Sequence, residues 1–521
     1  MPSNFRLLQG SHTKFISRIL VYTLQAYENW LRRNKSSVVS EIASLMILSG
    51  IFFILVFTVV LISLKLWIGW RSKSLLPHLR KDAQGRTLTT VGFFHPYCNA
   101  GGGGERVLWT AIRALQKKYP SIQCVIYTGD VDARPADIID RARQRFNIVI
   151  VRPVEFVYLY RRDWVEAFKY PYFTLLGQSL GSVFLGWEAM MKFVPDIYLE
   201  TMGYAFTGPL FKYFGGCKVG AYTHYPTIST DMIDRVSHRS RTYNNATFIS
   251  GSLLLSAVKL AYYRLFAYLY GIVGKRFDLI MVNSTWTFNH IEALWQASDK
   301  THIVYPPCDV TEFVKLPLER GGDKTILSVG QFRPEKDHPL QIESFSVFLK
   351  RMGDSERRAY KLCLVGSCRH DSDVERVNNL REFCEELGVA DRVQFKLNVS
   401  FTELKQLMGS STVGLHTMWN EHFGIGIVEL MAAGCIGLAH NSGGPKLDIV
   451  IPHNGEQTGF LADDVPSYAD AMETIFNMSD KERLKIQMNA RESVQKFSDE
   501  EFECSFLTLM EPMLQNGEEK V

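Results

Sequence analysis

From residue 89 onward, short β-branched or apolar runs alternate with longer helical stretches, and they do so in two series. The runs 90–94, 123–128, 148–151, 196–200, Lys218–Thr223 and Leu279–Val282 make the first. The runs 325–329, 362–365, 393–396, Val413–His416 and 436–439 make the second. Stretches such as 105–118 and 373–387 carry helical patterning between them. Such alternation predicts parallel strands joined by crossover helices, because parallel neighbours cannot be joined by a tight turn. The series meet at Pro306-Pro307, which reads as a linker. The expected architecture is α/β: doubly wound domains over 88–305 and 306–490, facing a cleft, then a helix and tail over 491–521. Sheets of this kind bind ligands beyond the carboxyl ends of their strands, so the chemistry is expected in the loops there.

One segment cannot belong to a soluble core. Residues 42–64 carry no charge and are rich in Ile, Leu, Phe and Val. They are long enough to cross a bilayer as a helix. The run starts late, is long and lacks a small-residue cleavage site after it, which argues against a cleaved signal peptide. Downstream lie Lys65, Arg71, Lys73, Arg80, Lys81 and Arg86; upstream and close are Arg32, Arg33 and Lys35. The larger positive count predicts that the body of the protein faces the cytosol and that segment 1–41 is lumenal.

Composition removes other classes. The net charge of +4 is small for 521 residues, and no basic block interleaved with aromatics appears, so nucleic acid is not an expected partner. Nine cysteines occur with no CxxC pair, which fits reduced, mostly buried thiols in a cytosolic compartment.

Four motifs fall where the pattern puts strand ends. Strand 90–94 runs into His95-Pro96-Tyr97-Cys98-Asn99-Ala100, then Gly101, Gly102, Gly103, Gly104 and Glu105 at a helix start. A strand, a glycine run and a helix can cradle an anion, although a flexible loop reads the same way. No Gly-Lys-Ser/Thr follows, and the spacing is not that of a dinucleotide fingerprint. Thr223-His224-Tyr225-Pro226 places His224 just beyond strand Lys218–Thr223. Strand 325–329 runs into Gly330-Gln331-Phe332-Arg333-Pro334-Glu335-Lys336. Arg333 offers a fork and Lys336 a point charge, a combination able to neutralise a diphosphate. Finally, Glu421 and Glu429 flank Gly424 and Gly426. The apolar run 427–433, closed by Gly434, predicts a short helix with Glu429 in an early turn and Glu421 in the preceding loop. Amides at such a helix start, Gly424 and Ile425 among them, suit a phosphate, and a carboxylate can take both hydroxyls of a sugar or ribose. Asp130-Val131-Asp132 and Asp371-Ser372-Asp373 are short acidic pairs after strands that could hold a divalent cation, although a polar turn with an Asp capping the next helix is the favoured reading.

The order of these pieces resembles the retaining glycosyltransferases of the GT-B fold, group 4. Within them, segments 92–109 and 222–227 are similar to the α-1,2-mannosyltransferases of N-glycan assembly in the endoplasmic reticulum. The resemblance covers roughly 91–497. It implies two Rossmann-like domains facing a cleft, with one N-terminal transmembrane helix, anchored in the endoplasmic reticulum membrane with the catalytic domains cytosolic. It implies GDP-mannose as donor, a lipid-linked oligosaccharide (dolichyl-diphosphate Man3GlcNAc2) as acceptor and two α-1,2 additions, the fourth and fifth mannoses. No metal or other cofactor is expected, and other mannosyltransferases of the pathway are possible partners. By the same resemblance, Glu429 holds the ribose, Glu421 and His224 contact the donor sugar, Arg333, Lys336, Gly424 and Ile425 hold the diphosphate, and Gly101–Gly104 with Glu105 approach phosphate or acceptor. The base-reading pocket is not visible in sequence, so another nucleotide sugar remains open. So does an inactive anchored scaffold, although a scaffold has no need of Glu421, Glu429, Arg333, Lys336 and His224 together.

The lipid acceptor calls for a membrane-facing surface on the first domain. Stretches 170–191 and 253–273 are rich in aromatic and aliphatic residues and fit either interfacial helices or buried core.

Overall fold

The computed structural model describes residues 22, 25–26, 28–29, 38–82, 84–237, 253–318, 324–368 and 371–515. The expected lumenal segment therefore lies almost wholly outside the described residues. The described chain divides into two compact units, Met1–Arg71 and Ser72–Val521.

The first unit carries most of helix α1 (Val38–Ser74). A candidate membrane span within it covers Ile42–Ser72, longer than the sequence run because Leu66, Trp67 and Ile68 continue the apolar pattern past Lys65. Phe52, Phe53, Phe57 and Val59 are all exposed. Around a helix of this length, that surface fits hydrocarbon rather than water. Arg71 lies 5.5 Å from the Trp67 ring, an aromatic–cation pair suited to a membrane–water boundary.

The second unit holds two sheets in which every pairing is parallel. The first runs β3-β2-β1-β4-β5-β6-β7 and the second β10-β9-β8-β11-β12-β13. In the first sheet the strands are β1 (Thr89–Phe94), β2 (Ile122–Thr128), β3 (Glu155–Tyr158), β4 (Ile197–Glu200), β5 (Lys218–Thr223), β6 (Leu279–Val282) and β7 (Thr301–Ile303). In the second they are β8 (Lys324–Val329), β9 (Tyr360–Gly366), β10 (Val393–Leu397), β11 (Val413–His416), β12 (Ile436–His440) and β13 (Gly459–Ala462). Each order reverses direction once, between β1 and β4 and between β8 and β11. Crevices open at such reversals, so the fold marks the loops after β1, β4, β8 and β11 as the site.

The strand expected at 148–151 does not form. Asn147 ends the preceding helix in a left-handed conformation. Ile148 then plugs the core while Val149 and Val151 face solvent. The amides of Val151 and Arg152 bond Gln116 Oε1 at 3.1 and 2.9 Å instead of a strand. Pro153 follows, and pairing resumes only at β3.

The helices that matter below are α2 (Gly103–Lys118), α3 (Thr174–Lys192), α4 (Thr230–Ser237), α5 (Leu253–Gly274), α6 (Thr285–Trp295), α7 (Ile425–Ala432) and α8 (Asp499–Gln515). Helix α8 follows the second domain in sequence but packs on the first. Its Phe502, Phe506, Met510 and Met513 complete the core that also holds Val107, Trp109, Tyr222 and Leu279. Asp499 bonds Arg106 at 2.9 Å and Arg113 at 2.8 Å, and Glu503 takes the other side of Arg113 at 2.6 Å. Asp448 of the second domain is fully buried and accepts bonds from the Thr285 amide and from Tyr305 at 3.0 and 2.9 Å. These contacts join the two sheets' domains beside the linker.

Stretches 170–191 and 253–273 are helical, as α3 and α5, and each has two faces. Ser182, Leu185 and Ala189 turn α3 inward, while Phe173, Leu176, Leu180 and Phe184 form an outward stripe at helical spacing. Phe173 and Leu180 are 60% and 54% exposed. On α5, Phe266 and Tyr270 are buried, while Leu265 and Tyr268 are 59% and 67% exposed. The two helices adjoin: the Phe173 and Tyr262 rings meet edge-on at 5.1 Å, and the Leu176 amide donates to Tyr262 Oη at 3.0 Å.

Candidate active site

Strand β1 delivers His95 to the crevice floor, where it is fully buried. Its Nδ1 is 2.8 Å from Thr201 Oγ1, just past β4, and its Nε2 is 3.3 Å from Glu105 Oε1. Glu105 was expected among the residues that approach phosphate or acceptor. Its carboxylate instead turns inward, taking the Gly102 amide as well as His95. Burial opposes its charge, but the bonds from His95 and Gly102 prevail, and its pKa lies below the ordinary carboxylate value. Glu105 thus fixes the glycine loop, leaving the backbone at Gly103 and Gly104 to face the cleft.

The bareness of those glycines has a steric reason. A Cβ on Gly103 would sit 2.8 Å from Ile425 Cδ1 of the second domain, and one on Gly104 would sit 3.4 Å from His224 Nε2. Ordering glycines costs roughly 0.5–1 kcal/mol each relative to alanine. The loop accepts that cost where Ile425 of the second domain approaches it. Gly101 alone needs the left-handed region, at φ 77°, and its carbonyl accepts from Arg145 Nε at 2.6 Å.

His224 follows β5 and enters the cleft as expected. Its Nε2 is buried with no hydrogen-bond partner. Burial lowers its pKa to about 4, with His95 adding to the effect, so the ring is neutral at physiological pH. An orphaned buried nitrogen is costly and fits a partner from a bound ligand.

On the second domain, β8 delivers the Arg333–Lys336 turn and β11 delivers Glu421. Lys336 Nζ lies 2.5 Å from Glu421 Oε2, and His416 Nε2 lies 3.2 Å from the same oxygen. Thr417 Oγ1 donates to the Lys336 carbonyl at 2.8 Å, tying the two loops together. Burial raises the pKa of Glu421, but Lys336 and His416 outweigh it and hold the carboxyl well below the usual range. Arg333 sits apart from this pair: its side chain is 55% exposed and lies 3.9 Å from Glu335. Of the two expected cations, the structure brings Lys336 to Glu421 and leaves Arg333 at the rim.

Helix α7 begins at Ile425, two residues earlier than the apolar run alone suggests. Its N-cap is Gly424 at φ 114°, a conformation few other residues adopt, and no side chain caps it. The first amides of α7 are therefore available to an anion. Glu429 lies one turn in. Burial raises its pKa to about 7, against the pull of Arg106 and with help from Asp309.

Sequence reasoning missed several participants. Gly443 and Gly444 follow β12 and pack beneath the Glu421 loop. A Cβ on Gly443 would collide with the Glu421 carbonyl, one on Gly444 would lie 2.5 Å from the Phe423 carbonyl, and the Gly444 amide donates to Glu421 O at 2.8 Å. The signal was present, since Asn441-Ser442-Gly443-Gly444-Pro445 is a turn sequence beyond a strand end. Arg106 and Asp499 left none, because their pairing spans 393 positions. Asp130 binds Arg162 at 2.5 Å and the Asn99 amide at 3.0 Å, so the first acidic pair secures the loop after β1. Asp371 and Asp373 lie in the first turn of a helix.

Comparison with known proteins adds a second line. Residues 88–295 match the family model described as ALG11 mannosyltransferase N-terminus, and residues 309–493 match Glycosyl transferases group 1. A protein of Mus musculus named GDP-Man:Man(3)GlcNAc(2)-PP-Dol alpha-1,2-mannosyltransferase is 56% identical over 86% of this chain and 92% of its own length. Proteins of the same name from Homo sapiens and Dictyostelium discoideum are 55% and 47% identical, over 85% and 82% of this chain and 92% and 85% of theirs. Among solved structures, a glycosyltransferase from Rickettsia africae covers 83% of this chain and all of its own, with a TM-score of 0.56 at 17% identity. Sucrose-phosphate synthase from Thermosynechococcus elongatus covers 82% of this chain and 100% of its own, with a TM-score of 0.57 at 16% identity. At those identities the likeness is one of fold, the GT-B arrangement of two parallel-sheet domains.

Proposed function

Because the chain belongs to the family of GDP-Man:Man(3)GlcNAc(2)-PP-Dol alpha-1,2-mannosyltransferases, we propose that it transfers mannose from GDP-mannose to dolichyl-diphosphate Man3GlcNAc2, α-1,2 linked, twice in succession. The observation that carries this reading is the convergence of Lys336, Glu421 and the uncapped start of α7 at one sheet reversal, the bare Gly103–Gly104 backbone at the other, and His224 after neighbouring β5.

The chemistry follows from charge. The bond from mannose C1 to the diphosphate oxygen breaks, and its electron pair leaves with GDP. A hydroxyl of the acceptor mannose bonds to C1 on the same face, and its proton passes to the departing phosphate oxygen. Lys336 and the first amides of α7 stabilise the negative charge as it grows. Lys336 has three donor hydrogens, so its bond to Glu421 leaves others for phosphate. Glu421 accepts from mannose hydroxyls, Glu429 from the ribose pair, and His224 meets the donor sugar. Lys336 and the amides at the start of α7 supply the positive charge the leaving diphosphate needs, and no role falls to a metal. Arg333 reaches the diphosphate from the rim.

The acceptor's lipid places the active unit at a membrane. The adjoining outward stripes of α3 and α5, with Lys259 and Arg264 on the latter, suit the interface of a bilayer with anionic headgroups. In the proposed setting, α1 anchors the chain in the endoplasmic reticulum membrane and the domains lie on the cytosolic side. For fragment 72–521, the paired substitutions Leu180→Asp and Leu265→Asp are expected to lower flotation with anionic liposomes at least fivefold, and Lys259→Ala with Arg264→Ala several-fold. Undiminished flotation of both would remove the interfacial role.

The full reaction is tested by reconstituting the chain with synthetic lipid-linked Man3GlcNAc2 and a panel of nucleotide sugars. Mass spectrometry is expected to show products heavier by one and then two hexoses with GDP-mannose alone, undiminished by EDTA. Transfer from a UDP-sugar instead, or loss of activity on chelation, would overturn the assignment of donor or of charge stabilisation.

A further inference from the structure

Both neighbours of Glu421 are gripped by the other domain. Asn420, at φ 50°, donates from Nδ2 to Asp231 Oδ2 of α4 at 2.6 Å, and its amide donates to Ser442 Oγ at 2.8 Å. His422 lies against two aromatic rings of the first domain. Its ring centroid is 4.3 Å from that of Tyr225 and 4.9 Å from that of Trp286, which opens near the start of α6. Tyr225 and Trp286 are themselves nearly parallel, at 7° and 6.1 Å.

The grip closes on itself. His290 meets the Trp286 ring edge-on at 4.1 Å, its Nδ1 lies 2.7 Å from Thr230 Oγ1, and its Nε2 lies 3.5 Å from the same Asp231 oxygen that receives Asn420. Asp231 is thus shared between the side that braces Trp286 and the side that holds Asn420. Burial keeps the His422 ring neutral, its pKa lowered to about 4, which suits packing against aromatic rings.

Register gives the contact its meaning. Tyr225 directly follows His224, and His422 directly follows Glu421. Stacking Tyr225 on His422 therefore sets the separation of His224 and Glu421, which come from different domains and belong to one donor pocket. A misplacement of about 1 Å at reacting groups can cost on the order of a hundredfold in rate.

We propose that Asp231, Tyr225 and Trp286 are positioning residues that hold Glu421 opposite His224 by clasping Asn420 and His422 when the domains are closed. The proposal rests on the reading that Glu421 contacts the donor sugar. The proposed diphosphate and ribose contacts come from Lys336, the start of α7 and Glu429, none of them a member of the clasp, so its loss lowers turnover while leaving nucleotide affinity in place.

The test uses the full chain in detergent, with kcat measured by transfer to the synthetic acceptor and GDP affinity by calorimetry. Trp286→Ala is expected to lower kcat at least tenfold with Kd for GDP within threefold of the parent, and Trp286→Phe to recover most of the loss. Asp231→Ala and Asn420→Ala are each expected to lower kcat several-fold, with the double variant no worse than the poorer single one. This half-exposed pair keeps the proposal testable should Trp286→Ala not fold. Turnover within twofold of the parent in Trp286→Ala, parallel loss of kcat and GDP affinity, or multiplying effects of the Asp231 and Asn420 changes would each overturn it. Glu421→Ala separates the two readings. If that variant is inactive while Trp286→Ala is unimpaired, only the clasp fails; if it is fully active, the role of Glu421 and the clasp fall together.

Discussion

Replacing Glu429 with alanine is expected to cut kcat/KM for GDP-mannose by roughly a hundredfold or more, with most of the loss in KM. Two hydroxyl bonds to a carboxylate contribute about 1.5–3 kcal/mol each, and about 1.4 kcal/mol is tenfold. The pH profile gives a sharper signature. Burial holds the Glu429 pKa up at about 7, so the carboxyl of the free enzyme loses its proton as pH rises through that value. Only the ionised form accepts from both ribose hydroxyls. Hence kcat/KM is expected to fall as pH drops below about 7 and to level off above it, since that ratio reports ionisations of the free enzyme. Glu429→Gln should lower the plateau and remove the inflection. Steady-state kinetics in which Glu429→Ala keeps parental kcat/KM would contradict the ribose assignment.

Lys336→Ala carries the second large effect, a fall in kcat of about 10²–10³ at pH 7, the range for removing one donor from developing negative charge. Lys336→Arg retains charge but not the compact ammonium, so it should recover only part of the rate. The substitution also strands Glu421, whose carboxyl is held low by Lys336 and His416 against burial. A carboxylate with a depressed folded-state pKa adds stability that is present above its unfolded pKa and lost as pH falls through the folded one. The destabilisation of Lys336→Ala, about 1–3 kcal/mol for leaving the mostly buried Glu421 without its partner, should therefore appear at pH 7 and shrink in acid. Thermal melts at neutral and acid pH, beside single-turnover rates, check both parts. A kcat within a few-fold of the parent would remove Lys336 from the leaving-group role.

Much of this was legible in the chain because it is local. Strands such as β5, apolar from Val219 to Tyr222, and β6, wholly apolar, carry the near-continuous apolar runs of buried parallel strands. Glu421, Glu429 and Lys336 stood out because glycines, a proline and strand ends surround them. Edge elements were harder. β3 contains a glutamate and β7 spans three residues, so neither carries a strong run, whereas the apolar 148–151 does and is nevertheless drawn into a loop by Asn147 and Gln116. Arg333 looked equivalent to Lys336 in sequence; only the fold shows which side of the turn faces Glu421. The grip of Tyr225 and Trp286 on His422 could not be read at all, since its members are scattered over two loops and a helix in two domains.

Helix α8 has a consequence for how the molecule comes into being. The first lobe borrows Phe502, Phe506, Met510 and Met513 for its own interior, so it lacks part of that interior until residues beyond the second lobe have left the ribosome. Vectorial synthesis cannot finish the lobes one after the other; they mature together, late. A frameshift or nonsense change after residue 498 would spare every sheet strand and every second-domain group named above, and would still leave the first lobe unfinished.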